Sequence, residues 1–241
     1  MTITAHRRFN DGARTIPDGN LNFNAGGPGP IDKSVDTKSF AANDRNASTN
    51  NLRQRLRLET SAEHDAIECT LDLMAPALSQ AAYQRCIAKF YGFYRPVERE
   101  LAICLEGSVW GDVLSGRQKA GLLRHDLQCL GMADPDATPV CTALPALTTP
   151  AAAFGCLYVL EGATLGGQII SGHASSRFGY GAQHGAAFFH GYGSDTGAMW
   201  RSFGHTLMAF SANSATDDEV VAAAVSTFRS LRLWCESEAA A

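Results

Sequence analysis

Residues 150–175 read PAAAFGCLYVLEGATLGGQIISGHAS, and their spacing says more about the fold than any other stretch of the chain. Thr149 followed by Pro150 is an N-cap with proline at the first helical position, so a helix is predicted from Pro150 to Ser175. At about 100° per residue, Gly155, Gly162 and Gly166 project within about 40° of one direction, with Val159, Ile169 and His173 close to that line. Each glycine costs ~1 kcal/mol relative to alanine inside a helix. With Gly167 added, the helix forfeits several times that, unless something uses the bare backbone. A second helix in close contact would use it, and so would a flat ligand lying across the helix. Gly166 and Gly167 together also predict a bend.

The rest of the folded chain has the same period. Further helices are predicted from Asn51 to Met74, Gln80 to Leu105, Gly116 to Leu130, Gly197 to Ser211 and Asp217 to Glu236. Gly131 lies just past one C-terminus. Thr216 with Glu219 reads as a capping box, and Pro96 predicts a kink or break near Arg95. Tyr83, Phe90, Tyr91, Phe93 and Tyr94 recur at helical spacing and read as core. No run of alternating period competes, so the fold class is all-α, one helical domain over residues 50–238. Residues 1–49 are rich in Asn, Asp, Gly, Ser, Thr and Pro and read as a disordered N-terminal tail.

Composition excludes several functions. The chain has 241 residues, 45% of them hydrophobic and 18% charged, with a mean hydropathy of −0.10, which suits a globular fold. Twenty Lys and Arg against 24 Asp and Glu give −4, leaving no basic surplus for a nucleic-acid partner. Seven cysteines without a C-x-x-C pair read as reduced, mostly buried thiols of a cytoplasmic protein. The apolar run from Ala151 stops at Glu161, short of the roughly 20 residues that span a bilayer, and Arg7 and Arg8 precede no apolar segment. Neither a membrane span nor a secretory signal is expected.

The first helix holds a chemically suggestive trio. Leu52, Leu56, Thr60, Ile67, Leu71 and Met74 share one face, and His64 lies at its edge with Arg57 and Glu68 on the same flank. An imidazole there can offer one nitrogen to a metal while a carboxylate at i+4 accepts the other N–H, fixing the tautomer. Arg57 is then placed to pair with an anionic group. An ordinary surface pair at i,i+4 accounts for the same residues.

Two segments carry a resemblance. LRLETSAEHDAIE (Leu56 to Glu68) and LYVLEGATLGGQII (Leu157 to Ile170) together resemble the proximal-histidine and glycine-rich distal helices of bacterial haem oxygenases. They look most like the biliverdin-forming subgroup associated with bacteriophytochromes. A weaker likeness runs through MWRSFGHTLMAF and STFRSLRLWC, so it covers about Asn50 to Glu236. It implies a bundle that sandwiches haem between the two helices and cleaves it, with O2, to biliverdin, CO and ferrous iron. His64 matches the axial metal ligand, and Glu68 matches the acid behind it. Arg57, Arg201 and His205 fall where propionate contacts are expected, and Gly162, Gly166 and Gly167 match the distal catalytic glycines. Many members carry an aspartate after the first distal glycine to organise the distal water; here that residue is Ala163.

No flavin, nicotinamide or iron–sulfur signature is present, and GYGAQHG (Gly179 to Gly185) lacks the third glycine of a dinucleotide loop. The resemblance therefore implies a separate electron donor, such as a ferredoxin or a reductase, and a bacteriophytochrome as a partner that takes the bilin. His125, His173, His184 and His190 show no ligand spacing, and Ser108 is not centred between glycines at ±2. Two alternatives stay open: a non-catalytic haem carrier or sensor on the same fold, favoured by Ala163, and a helical module that binds no haem.

Overall fold

The computed structural model describes residues 52–237; the tail read from residues 1–49 lies outside them. The fold is all-α as expected, with no β-strand among the described residues. The first predicted helix divides in two. Helix α1 spans residues 52–59 and α2 spans Ser61–Leu71. At the junction the buried Thr60 turns its hydroxyl back to the Leu56 carbonyl at 2.6 Å, the local competition that bends helices at threonine. Asp72, at φ 41°, closes α2 in the left-handed region. Met74 thus falls beyond the helix end and is exposed, while Leu52, Leu56, Thr60 and Ile67 are buried.

Helix α3 (Gln80–Leu105) is capped by Ser79, whose hydroxyl accepts from the Ala82 amide. It continues through Pro96 rather than breaking. Proline leaves the carbonyl four residues earlier without its helical donor, and here that carbonyl, on Gly92, accepts the Cys141 amide at 2.9 Å. Tyr83, Phe90, Tyr91, Phe93 and Tyr94 are all buried as core. Helix α4 (Ala120–Cys129) begins later than predicted, because Glu98 accepts the Lys119 and Ala120 amides at its start. Gly131, at φ 91°, follows its C-terminus as expected.

Helix α5 (Pro150–Phe178) starts at the Thr149 cap and ends at Gly179, φ 75°. Short α6 (Ala187–His190) is held by the buried Asp126, which accepts the Ala187 and Phe188 amides at 2.7 and 2.8 Å. Then come α7 (Thr196–Phe210) and α8 (Ser214–Glu236). The predicted capping box does not form: Asn213 caps α8 at the Thr216 amide, and Glu219 accepts from the Thr149 hydroxyl instead.

Helix α5 is the central element and packs against α3, α6, α7 and above all α8. By length and composition it is long and apolar enough to cross a membrane, unlike the reading that stopped its apolar run at Leu160. In the fold it is a core helix, with Phe154 stacked on Phe210 at 4.2 Å and Glu161 buried among cations. Helix α8 is fastened at its far end by Lys89 of α3, whose ammonium donates to the Trp234 carbonyl at 2.9 Å. The Trp234 indole N–H donates back to the Lys89 carbonyl at 2.7 Å. All seven cysteines are free, three of them buried. Burial pushes Cys156 and Cys235 up to about 12, which keeps them protonated and inert.

Candidate functional site

The glycines of α5 separate into two groups. A Cβ on Gly155 would stand 2.2 Å from the Val220 carbonyl oxygen and 2.7 Å from the Ala223 Cβ. Gly155 is therefore the point where α8 crosses α5 in backbone contact. Gly167 is similar, with the Phe189 carbonyl oxygen 2.8 Å from where its Cβ would be. Gly162 and Gly166 differ. A Cβ on Gly162 would approach only the Trp200 ring, at 3.9 Å, and one on Gly166 would meet nothing within 4 Å. Ala163, Leu165, Gly166 and Ile169 are exposed, so a helix otherwise committed to the core presents a bare strip to the outside.

Next to that strip is a cleft enclosing about 220 Å³. Arg53 and Arg57 come from α1, Tyr158 from α5, and Trp200, Arg201 and Phe203 from α7. Three guanidinium groups and three aromatic rings line it, with no carboxylate among the lining residues. Gly204 makes the closest approach: a Cβ there would be 2.7 Å from an Arg53 guanidinium nitrogen. Burial raises the Tyr158 phenol above its ordinary value of 10.0, against the lowering effects of the Thr60 hydroxyl and the Arg57 charge, so it stays a neutral donor. Thr60 lies one turn before His64, and Tyr158 one turn before Gly162.

His64 lies on the outer face of α2 with half its side chain exposed. Its Nε2 is 3.7 Å from Glu68 Oε1 and its Nδ1 is 4.0 Å from Asp65 Oδ1. The Glu68 distance is within ion-pair range but too long for a hydrogen bond. The ring meets Phe228 of α8 edge-on, with centroids 5.7 Å apart. Both nitrogens are thus reachable, and an acid stands at i+4 to orient the ring. Beneath His64, Glu63 fixes α2 to α8 through Arg229 and Arg232, each at 3.1 Å.

Of the residues singled out from sequence, Arg57 and Arg201 meet at the cleft, and Gly162 and Gly166 form the open strip. Gly167 packs against α6. His205, one turn past Arg201, is exposed and does not line the cleft. Sequence reasoning missed Arg53, Tyr158, Trp200, Phe203 and Gly204. Two of these carried a signal, since Arg53 is one turn before Arg57 and Tyr158 one turn before Gly162.

The cleft and the strip suit a flat anionic ligand, with bare backbone for its face and cations for carboxylates at the rim; His64 and Glu68 are not among the residues that line the cleft. Comparison with solved structures gives the same fold. Haem oxygenase from Leptospira interrogans aligns with a TM-score of 0.66 at 22% identity, covering 76% of this chain and 98% of that one. The NO- and CO-bound haem oxygenase of Neisseria meningitidis aligns at 0.61 and 22%, covering 78% and 96%. The enzyme of the cyanobacterium Synechocystis, in complex with haem, aligns at 0.62 and 20%, covering 77% and 90%. Comparison with curated proteins finds no match. The Heme oxygenase family model matches residues 50–237, which contain every described helix, and the chain belongs to the haem oxygenase family.

Proposed function

We propose that this protein is a cytoplasmic haem oxygenase that cleaves haem with O2 to biliverdin, CO and ferrous iron. Electrons come from a separate donor, a ferredoxin or a reductase, and the bilin passes to a bacteriophytochrome or the iron to the cell. The observation that carries the reading is the strip at Gly162 and Gly166, where backbone stands open beside a cleft rimmed by arginines. Haem, when bound, supplies the iron at which O2 is reduced and the macrocycle that is oxidised.

The chain's own residues hold and orient it. His64 would hold the iron through one ring nitrogen, with the Glu68 carboxylate at i+4, 3.7 Å from the ring, to take up the other N–H and strengthen it as a donor. Arg57 and Arg201, with Arg53 behind them, pair with the propionates. The strip carries no bulky side chains, and its carbonyls keep a second lone pair for ordered water. Protons then move through that water, because Ala163 offers no carboxylate.

Titration with haem followed by ascorbate or reduced ferredoxin in air tests the reading. A Soret band should appear, then decay as the broad red absorption of biliverdin grows. Ala163 favours a second reading, a non-catalytic haem carrier or sensor. Haem that stays intact in the wild type under both donors, with turnover only in Ala163→Asp, would establish that one.

A further inference from the structure

Glu161, the residue before Gly162, is 1% exposed, and its carboxylate takes three donors from two segments. Arg117 donates to Oε2, Lys119 donates to Oε1 at 2.5 Å, and the Tyr192 hydroxyl donates to Oε1 at 2.8 Å. Arg117 also reaches the Met199 carbonyl at 3.3 Å and lies over the Phe203 ring at 5.8 Å. One carboxylate on α5 thus holds the segment before α4, the connection into α7, and, through Arg117, α7 itself.

Both ends of this linkage bear on the cleft. Gly162 follows Glu161 directly, and its nearest neighbour across the gap is Trp200, the residue after Met199. Arg201 and Phe203 complete the same stretch of α7. A cluster of buried ions is an expensive way to join helices, since apolar residues of similar volume often hold a fold as well or better. Directional bonds do something apolar contacts cannot: they fix a spacing. We propose that Glu161 is a positioning residue, whose grip on Arg117 and Tyr192 sets the distance between the Gly162 turn of α5 and the Trp200–Arg201 wall of α7. The consequence for haem rests on the function proposed above; the spacing itself does not.

The experiment compares wild type, Glu161→Gln, Tyr192→Phe and Asp126→Asn by site-resolved hydrogen exchange without haem, then by haem titration. Asp126 is the control, a buried carboxylate that holds α6 and no part of the cleft wall. In Glu161→Gln the amides of residues 200–204 should exchange about tenfold faster while α3 and α8 keep their protection. Tyr192→Phe should show the same pattern at smaller size, and Asp126→Asn should not. Haem affinity should fall on the order of tenfold in Glu161→Gln, at the lower end of coupling between linked sites. Uniformly faster exchange in every helix of Glu161→Gln would make the cluster a plain structural joint and overturn the proposal. If Glu161→Gln does not fold, unchanged exchange at residues 200–204 in Tyr192→Phe overturns it equally. A wild type that binds no haem refutes the proposed function, and the exchange pattern still decides the role of Glu161.

Discussion

Adding one methyl group at each of two glycines on the same face of α5 should have opposite effects. Gly166 has open space where a Cβ would go, so Gly166→Ala changes only backbone entropy and helix propensity. It should stabilise the protein by about 1 kcal/mol, or roughly 2–4 °C in a domain of this size. Gly155→Ala gains the same propensity but drives a Cβ to 2.2 Å from the Val220 oxygen. Ordinary contact begins near 3.4 Å, so α8 must move away by more than 1 Å or α5 must distort. Overpacking costs about 1–3 kcal/mol, and a clash with the backbone of α8 at two atoms belongs at the upper end, which outweighs the propensity gain of ~1 kcal/mol and gives a lower melting temperature. Gly166→Leu then separates folding from binding. It should melt no lower than the wild type, yet its side chain occupies the strip and should abolish the Soret band in haem titration. Circular dichroism melts and absorption titrations on the three variants suffice. Wild-type haem affinity in Gly166→Leu, or destabilisation of Gly166→Ala like that of Gly155→Ala, would refute the division of this face into a packed and an open part.

His64→Ala should retain the helical circular dichroism spectrum and lose the histidine-ligated ferric haem spectrum, because an exposed side chain supports little of the core; an unchanged spectrum places the axial base elsewhere. Arg57→Gln and Arg201→Gln should each weaken haem binding about fivefold to tenfold, as expected for partly exposed charge-assisted contacts, and should leave affinity for haem dimethyl ester unaltered. Burial works to raise the Glu63 carboxyl, but hydrogen bonds from Arg232 and Arg229 more than offset it and hold it below its ordinary 4.5. Its contribution is therefore present above pH 4.5 and is lost as pH falls through the lower folded value. Melting temperature should drop as pH falls below 4.5, and that part of the drop should be absent in Glu63→Gln.

Helical periodicity and caps were enough to read the fold class, the Thr149–Pro150 start of α5 and the Gly131 stop. What they missed has physical causes. The stripe through Leu52, Leu56, Thr60 and Ile67 is continuous in direction, so it conceals the bend at Thr60, which depends on a hydroxyl choosing its own carbonyl. Pro96 ends no helix because Cys141, from a distant segment, satisfies the freed carbonyl, and no local pattern announces such a donor. Periodicity gave the direction of the α5 glycines but not what each one faces; that depends on where α8 and α6 cross. Arg57 was readable from its spacing on the first helix, and Arg201 only from the family resemblance; both line the cleft. Trp200 and Phe203 lie in a segment whose spacing gave them no role, and Glu161 read only as the end of an apolar run.

The crossing of α8 over Gly155 also constrains the order in which the molecule can be made. Helix α8 is translated after every element it packs against, and its far end locks onto Lys89, 145 residues earlier in the chain. Until it arrives, the nascent protein has a long apolar α5 whose small-residue groove has no lid. Such an intermediate looks to the cell like a membrane segment or a chaperone client.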